Sequence, residues 1–382
     1  MISLLGLLLT LFPTLNLFPT LNLACLWDHD TLLEERSVQP GLHELIVGHF
    51  PRHSRALYQW RIDTRLERGR DAWTPADYDT VAVAFDKLGQ SEQAIEWIEK
   101  KYQRFPESGT YETQANWGTF LIHAGKLEEG LTHIERAIEI NPDAHFGRER
   151  VQKWLVEYLI ETRQHLDPER SWNGDGFLEF VRYQDDAPET KTGNTRELRQ
   201  TLIHGISGML RFGQHDSPIL LAELGGLLSR SNEMSGATNM LAARALLRAA
   251  ETTGNPKQAI DFREAAKREL EMQVDWSLEE VEKSLREEVA QADKLAVQIA
   301  ADEKRWMDAG DDADAKYAEK YLGGAPPTLD VTDHDRTQHS VPPLHVGIRM
   351  LLQTVLFVCV TAIATILAWR RFRSTRRAIS PG

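Results

Sequence analysis

Gly89 and Gly125 lie 36 residues apart, and so do Pro106 and Pro142. A glycine and a proline recurring at one interval, with the apolar pattern recurring around them, mean that one structural unit is written twice. Self-similarity at a period of roughly 20–50 residues marks a stacked-repeat architecture, in which each unit buries its apolar face on the next. The first unit runs from Pro75 to Ser108 and the second from Tyr111 to Ala144. In the first, Tyr78, Val81, Ala82 and Phe85 recur at helical steps on one face. Gly89 follows at the place where a helix ends in left-handed backbone, which glycine adopts without steric cost. Ala94, Ile95 and Ile98 mark the returning helix, and Pro106 stops it. The second unit repeats the layout with Trp117, Gly118, Leu121, Gly125, Gly130, Ile134, Ala137 and Pro142. Small residues at Ala82, Ala94, Gly118, Gly130 and Ala137 fall where two helices must approach closely.

This layout resembles the tetratricopeptide repeat, a helix–turn–helix unit of about 34 residues. Gly118 and Ala137 match the family's small positions, and Leu88 and Leu127 match apolar sites beside the turn. The resemblance covers residues 75–144 and departs at Lys101, where the family prefers alanine, so the second helix of that unit is expected to tilt. A degenerate third copy is expected from Met240 to Met272, with Leu246, Gly254, Ala259, Phe262 and Ala266 in corresponding places. The resemblance implies an α-solenoid whose first helices line a concave groove for an extended peptide or a partner helix. The groove residues would be Asp79, Val83, Asp86, Lys87, Ala115, Asn116, Thr119, Ile122 and His123. Some family members grip a C-terminal carboxylate there with lysine and asparagine. Here Asp79 and Val83 occupy two of those places and only Asn116 fits, which favours a mixed polar–apolar or basic ligand. Closure of the groove by the chain's own long helix is the alternative.

Around these units the pattern stays helical, and the class expected is all-α. Residues 25–74 hold flanking helices at His43–Phe50, ended by Pro51, and at Ser54–Glu67. Residues 145–200 hold a capping helix, Phe146–Arg163, and a polar insertion in which Trp172, Phe177, Leu178 and Phe180 suggest a local structured turn. Residues 201–272 form a second helical region, with helix starts at Ser217-Pro218 and Asn255-Pro256. Residues 273–322 read as one long helix opened by a Ser277/Glu280 capping box. Its apolar spacing is near 3.5 residues but broken by Glu288 and Asp302, which favours packing on the chain's own repeats over a coiled coil. Residues 323–343 are a proline-rich, polar stretch expected to be a disordered stalk.

Both ends of the chain point to a membrane. Met350–Trp369 is 20 residues without a charge, long enough as a helix for a hydrocarbon core of about 30 Å. A single transmembrane helix with its flanks is therefore expected over 344–372. The basic tail that follows, 373–382, is cytoplasmic by the positive-inside rule, and the main body extracytoplasmic. Residues 1–24 form a charge-free, leucine-rich segment like a secretory signal, although no Lys or Arg opens it and Pro13 and Pro19 interrupt it. Cleavage, retention and lipidation at Cys25 all stay open. Cys359 is the other of only 2 cysteines, so no disulfide framework is expected.

The residues from Arg349 onward carry six arginines and no acid, leaving a charge of −19 on the remainder against −13 overall. Phosphate repulsion then argues against nucleic acid as a partner. No nucleotide loop, paired-histidine metal motif or nucleophile signature appears, so no cofactor, no metal and no small-molecule substrate are expected. Asp28-His29-Asp30, His215-Asp216 and the group Asp333, His334, Asp335 and His339 read as a solvated turn, a helix start and a polar linker. The expected function is that of a non-catalytic, membrane-anchored scaffold binding a protein or peptide. An envelope enzyme with its site in 172–212 and a purely structural spacer are the other readings.

Overall fold

The computed structural model describes residues 40–142, 147–167, 169–184, 194–229, 236–271 and 276–324, with 327 and 329. All belong to the first of the chain's two units, which runs to His339. The signal-like segment, Cys25, the Asp28 and Asp333 groups, the expected transmembrane helix and the basic tail lie outside them. Among the described residues no helix is long and apolar enough to cross a membrane.

Every regular element among the described residues is a helix. The flanking pair is α1 (Leu42–Val47) and α2 (Arg55–Glu67), with a short 3-10 turn at Arg70–Ala72. The first repeat is α3 (Pro75–Lys87) and α4 (Ser91–Arg104), and the second is α5 (Thr110–His123) and α6 (Leu127–Ile140). Then come α7 (Arg148–Thr162), α8 (Gly176–Arg182), α9 (Thr195–Phe212), α10 (Pro218–Leu228), α11 (Gly236–Thr252) and α12 (Pro256–Glu271). The long helix α13 (Leu278–Ala309) and α14 (Ala313–Tyr317) finish the series, followed by a π turn at Ala318–Leu322.

The 36-residue interval is reproduced atom for atom at the turns. After α3, Gly89 (φ 77°) donates to Asp86 O and Gln90 to Phe85 O. After α5, Gly125 (φ 80°) donates to Ile122 O and Lys126 to Leu121 O, the same closing motif one period later. Between α5 and α6 the helices touch through glycine. A Cβ on Gly130 would sit 2.8 Å from Gly118 O, and one on Gly118 would sit 2.9 Å from Gly130 O. Backbone cannot retreat as a side-chain tip can. Gly130→Ala is therefore expected to destabilise by about 3 kcal/mol in urea melts, the upper range for overpacking. Gly89→Ala meets no atom within 4 Å and should lose only the left-handed strain, about 1 kcal/mol.

Successive helices pack in order from α2 to α7, α7 continues onto α9, and α9 to α12 pack in order. The sequence boundaries shift where capping was not visible. α9 begins at Thr195, inside the stretch expected to be a polar insertion, because the Asn194 side chain accepts from Glu197 N–H. α8 turns the expected aromatic turn into a helix that buries Phe177, Leu178 and Val181. The third hairpin, α11–α12, does not share the glycine turn: Gly254 is absent from the positive-φ residues, and Asn255 caps α12 instead.

The long helix explains its own irregularity. Glu288 and Asp302, which break the heptad, are 2% and 5% exposed, and the neighbouring Glu303 is 0% exposed. They face inward and anchor the helix by charge. Glu288 accepts from Arg244 on α11 (3.1 and 3.2 Å) and from His43 on α1 (2.9 Å). Glu303 accepts from the Ser54 backbone N–H (2.9 Å) and His53 Nδ1 (2.7 Å) at the start of α2, where a carboxylate also meets the positive end of the helix dipole. Apolar packing adds Leu57, Ile299, Trp306, Ala313 and Tyr317. α13 thus packs on α1, α2, α11 and α12 rather than on the two units at 75–144. The last helices return to the first.

Candidate functional site

The nine expected groove residues sit on α3 and α5. Asp79, Val83, Asp86, Ala115, Asn116, Thr119 and Ile122 are buried, and Lys87 and His123 are half-buried. Most of their polar atoms are engaged within the chain, the buried His123 Nε2 being an exception. Lys101 Nζ donates to both oxygens of Asp79, at 2.7 and 2.8 Å, and Asn116 Nδ2 donates to Oδ1 at 3.2 Å. His123 Nδ1 donates to Asp86 at 2.9 Å, and Ser91 Oγ adds a bond at 3.0 Å. Thr119 receives Gln152 of α7 at 3.3 Å. Lys87 Nζ reaches the end of α9, donating to Phe212 O and, at 2.8 Å, to Gly213 O; a lysine there satisfies carbonyls that the helix leaves open. Of the nine, Thr119 thus meets α7 and Lys87 meets the end of α9, while Asp79, Asp86, Asn116 and His123 bond within the two repeats.

Lys101, the departure from the alanine pattern, belongs to a compensated exchange. One period after Asp79 stands Ala115, and one period after Lys101 stands Ala137. The first unit fills that space with an ion pair, and the second with Ala115, Ala137 and Tyr111 in apolar contact. Burial pushes the Asp79 carboxyl up to about 6, against the opposing pull of Lys101 and Asn116. Seeing Lys101 and Asp79 as one substitution required comparing the two units position by position.

Trp172, at the start of the 172–212 region, meets a buried pair whose two members both lie outside that region. His165 Nε2 donates to Glu223 (2.8 Å), which also accepts from the Trp172 indole (3.1 Å). His165 and Glu223 are 3% and 1% exposed, and the histidine holds left-handed backbone at φ 63°. Trp172 N–H donates to Asp261 of α12 at 3.2 Å. These bonds fasten the insertion to α10 and α12, and the imidazole faces Phe262 rather than solvent. His215 is packed beside Phe50 and Gly48. Burial first, then the charge of Arg52, hold it down at about 3, so it stays neutral.

The two repeats also carry a row of rings that reaches solvent. Tyr102 of α4 is 45% exposed and meets Trp117 of α5 at 5.7 Å between ring centroids. Trp117 stacks in turn on His133 of α6 at 4.4 Å and 21°. Burial, then Arg136, lower His133 to about 4, so the row is uncharged at neutral pH. Of these three, only Trp117 stands out in the sequence; Tyr102 and His133 fall between the apolar stripes. Among the described residues no group of histidines, cysteines and carboxylates could hold a metal ion. No family model matches the chain, and no curated protein or solved structure is similar to it, so the likeness to tetratricopeptide repeats rests on the residues themselves.

Proposed function

We propose that this chain is a membrane-anchored, non-catalytic interaction scaffold whose helical repeats bind another protein outside the cytoplasm. The observation that carries this reading is the row of Tyr102, Trp117 and His133, which crosses three consecutive helices and leaves Tyr102 open to solvent. Exposed aromatic rings on a rigid surface are characteristic anchors of protein interfaces, because they cover large area with little entropy to lose. Repeat arrays present such rows on a fixed frame. The membrane anchor rests on the uncharged stretch Met350–Trp369 and the arginines after it.

A photo-crosslinking residue in place of Tyr102, in cells, should give a discrete protein adduct. The same residue in place of Glu139, on the exposed side of α6, should not. Tyr102→Ser should weaken recovery of that partner by about 2 kcal/mol, the scale of an interface anchor. A reporter fused after Gly382 should be active only in the cytoplasm. Equal adducts from both positions would count against the reading.

A further inference from the structure

On an acidic chain, one basin is lined by cations. It has a volume of about 590 Å³ and is formed by Arg70 and Asp71 of the 3-10 turn, Tyr78 of α3, and Lys100, Gln103 and Arg104 of α4. Arg104 fixes the frame: its guanidinium donates to Arg70 O (2.9 Å) and Asp71 O (3.0 Å), tying the turn to the end of α4. Lys100 Nζ lies 4.4 Å, and the Arg70 guanidinium 5.8 Å, from the Trp97 ring centroid. Two cations are thus gathered around one indole that is itself 8% exposed. Lys100 also touches Glu96, a pair on the exposed helix surface of the kind that adds little.

Four of the lining side chains have no hydrogen-bond partner among the described residues: the Arg70 guanidinium, the Gln103 amide, the Tyr78 hydroxyl and the Asp71 carboxylate. Tyr78 is the telling one. Its ring is wedged between Trp73, Trp97 and Phe105, and the residue is 4% exposed. The ring is packed away while the hydroxyl is not among the buried unpaired groups, so the hydroxyl is the part of Tyr78 that opens onto the basin, beside the cations of Arg70 and Lys100 and the Asp71 carboxylate.

We infer that this basin binds a carboxylate of an acidic peptide segment, with Arg70 and Lys100 supplying charge and Tyr78 a hydrogen bond. An arginine fork matches a carboxylate through two parallel bonds. The carbonyl end of α4 and the Asp71 carboxylate border the basin, and their negative potential favours a singly charged carboxylate over a phosphate dianion. The identity of the ligand as part of a protein rests on the protein-binding reading above; the anion-binding chemistry does not.

The test uses the purified full-length chain in mild detergent and a fluorescent peptide rich in glutamate, with its glutamine counterpart as control. The glutamate peptide should bind saturably, and the glutamine peptide should bind at least about tenfold more weakly. Arg70→Gln and Lys100→Gln should each weaken binding about tenfold, and Tyr78→Phe several-fold, with helical circular dichroism unchanged. Lys294→Gln, an exposed lysine on α13, should leave binding as it was. Amidating the peptide's C-terminus separates a side-chain carboxylate from a terminal one. Equal affinity for both peptides would overturn the inference, as would an equal effect of Lys294→Gln, or displacement by inorganic phosphate at lower concentration than by acetate. If peptide binding fails while the Tyr102 adduct persists, the basin assignment falls and the scaffold reading stands. The converse result removes the scaffold and keeps the anion site.

Discussion

Lys101→Ala should destabilise the chain by about 3–5 kcal/mol at pH 7, because it strands Asp79 in the interior with its charge uncompensated. Lys101 is 0% exposed, and both oxygens of Asp79 accept from its ammonium. Removing Asp79 as well should restore most of the loss, since Ala115 and Ala137 already show that the same place in the second unit works with two alanines. The pH dependence has a definite sign. The folded-state value of Asp79, about 6, lies above its ordinary 3.8. The native state therefore binds more protons than the unfolded one between those values, and this group's contribution falls as pH rises through about 6. Without Lys101 the carboxyl is pushed higher still, so the variant should lose less at pH 5 than at pH 7. Urea titrations at the two pH values, on the single and double variants, measure this directly. An equal loss at both would mean that lost packing by the lysine stem dominates, and that charge does not.

Glu288→Ala should be comparably damaging, about 3–5 kcal/mol, for the opposite reason. It leaves a cation behind: Arg244 is 0% exposed and gives Glu288 two hydrogen bonds, while His43 gives a third. Burial alone would raise the Glu288 carboxyl, but the His43 bond and the Arg244 charge outweigh it and hold the group at about 2. A lowered folded-state value stabilises above the ordinary 4.5, and the contribution disappears as pH falls through about 2. The native chain should accordingly lose stability on acidification below pH 4.5, and Glu288→Ala should flatten that slope. Hydrogen exchange offers a second readout, because α1 is held to α13 through His43 and should exchange faster in the variant.

The sequence announced its helices where local chemistry decides them. Thr74 and Ser277 cap α3 and α13 through reciprocal boxes, and Gly89 and Gly125 close their turns with one repeated hydrogen-bond pattern. Periodicity served equally well for the apolar stripes of α3 to α6. The tertiary use of polar residues was hidden. Asp79 and Asp86 read as groove residues and Glu303 carried no signal, yet each of them, like Glu288, is buried against a partner elsewhere in the chain. Glu288 and Asp302 even registered as faults in a heptad, when they are the inward contacts of the helix. Long-range pairing of this kind leaves no local signature, since His43 and Glu288 are 245 residues apart. For the same reason the sequence could not show that Thr119 and Lys87, two of the expected groove residues, meet α7 and the end of α9. The outward row at Tyr102 and the cationic basin escaped notice because neither follows a helical period; each is assembled from several elements.

The return of α13 and α14 to the amino-terminal helices has a kinetic consequence. His53 meets Glu303 across 250 positions, and Arg61 meets Asp314 across 253. During synthesis α1 and α2 emerge long before their counterparts exist, and such distant loops close slowly. The middle hairpins, built from neighbours, can mature as they appear. The helices α1 and α2 must wait, with Leu57 and its apolar surroundings uncovered, until α13 and α14 have been made. That interval is when the nascent chain is most exposed to proteases and to aggregation.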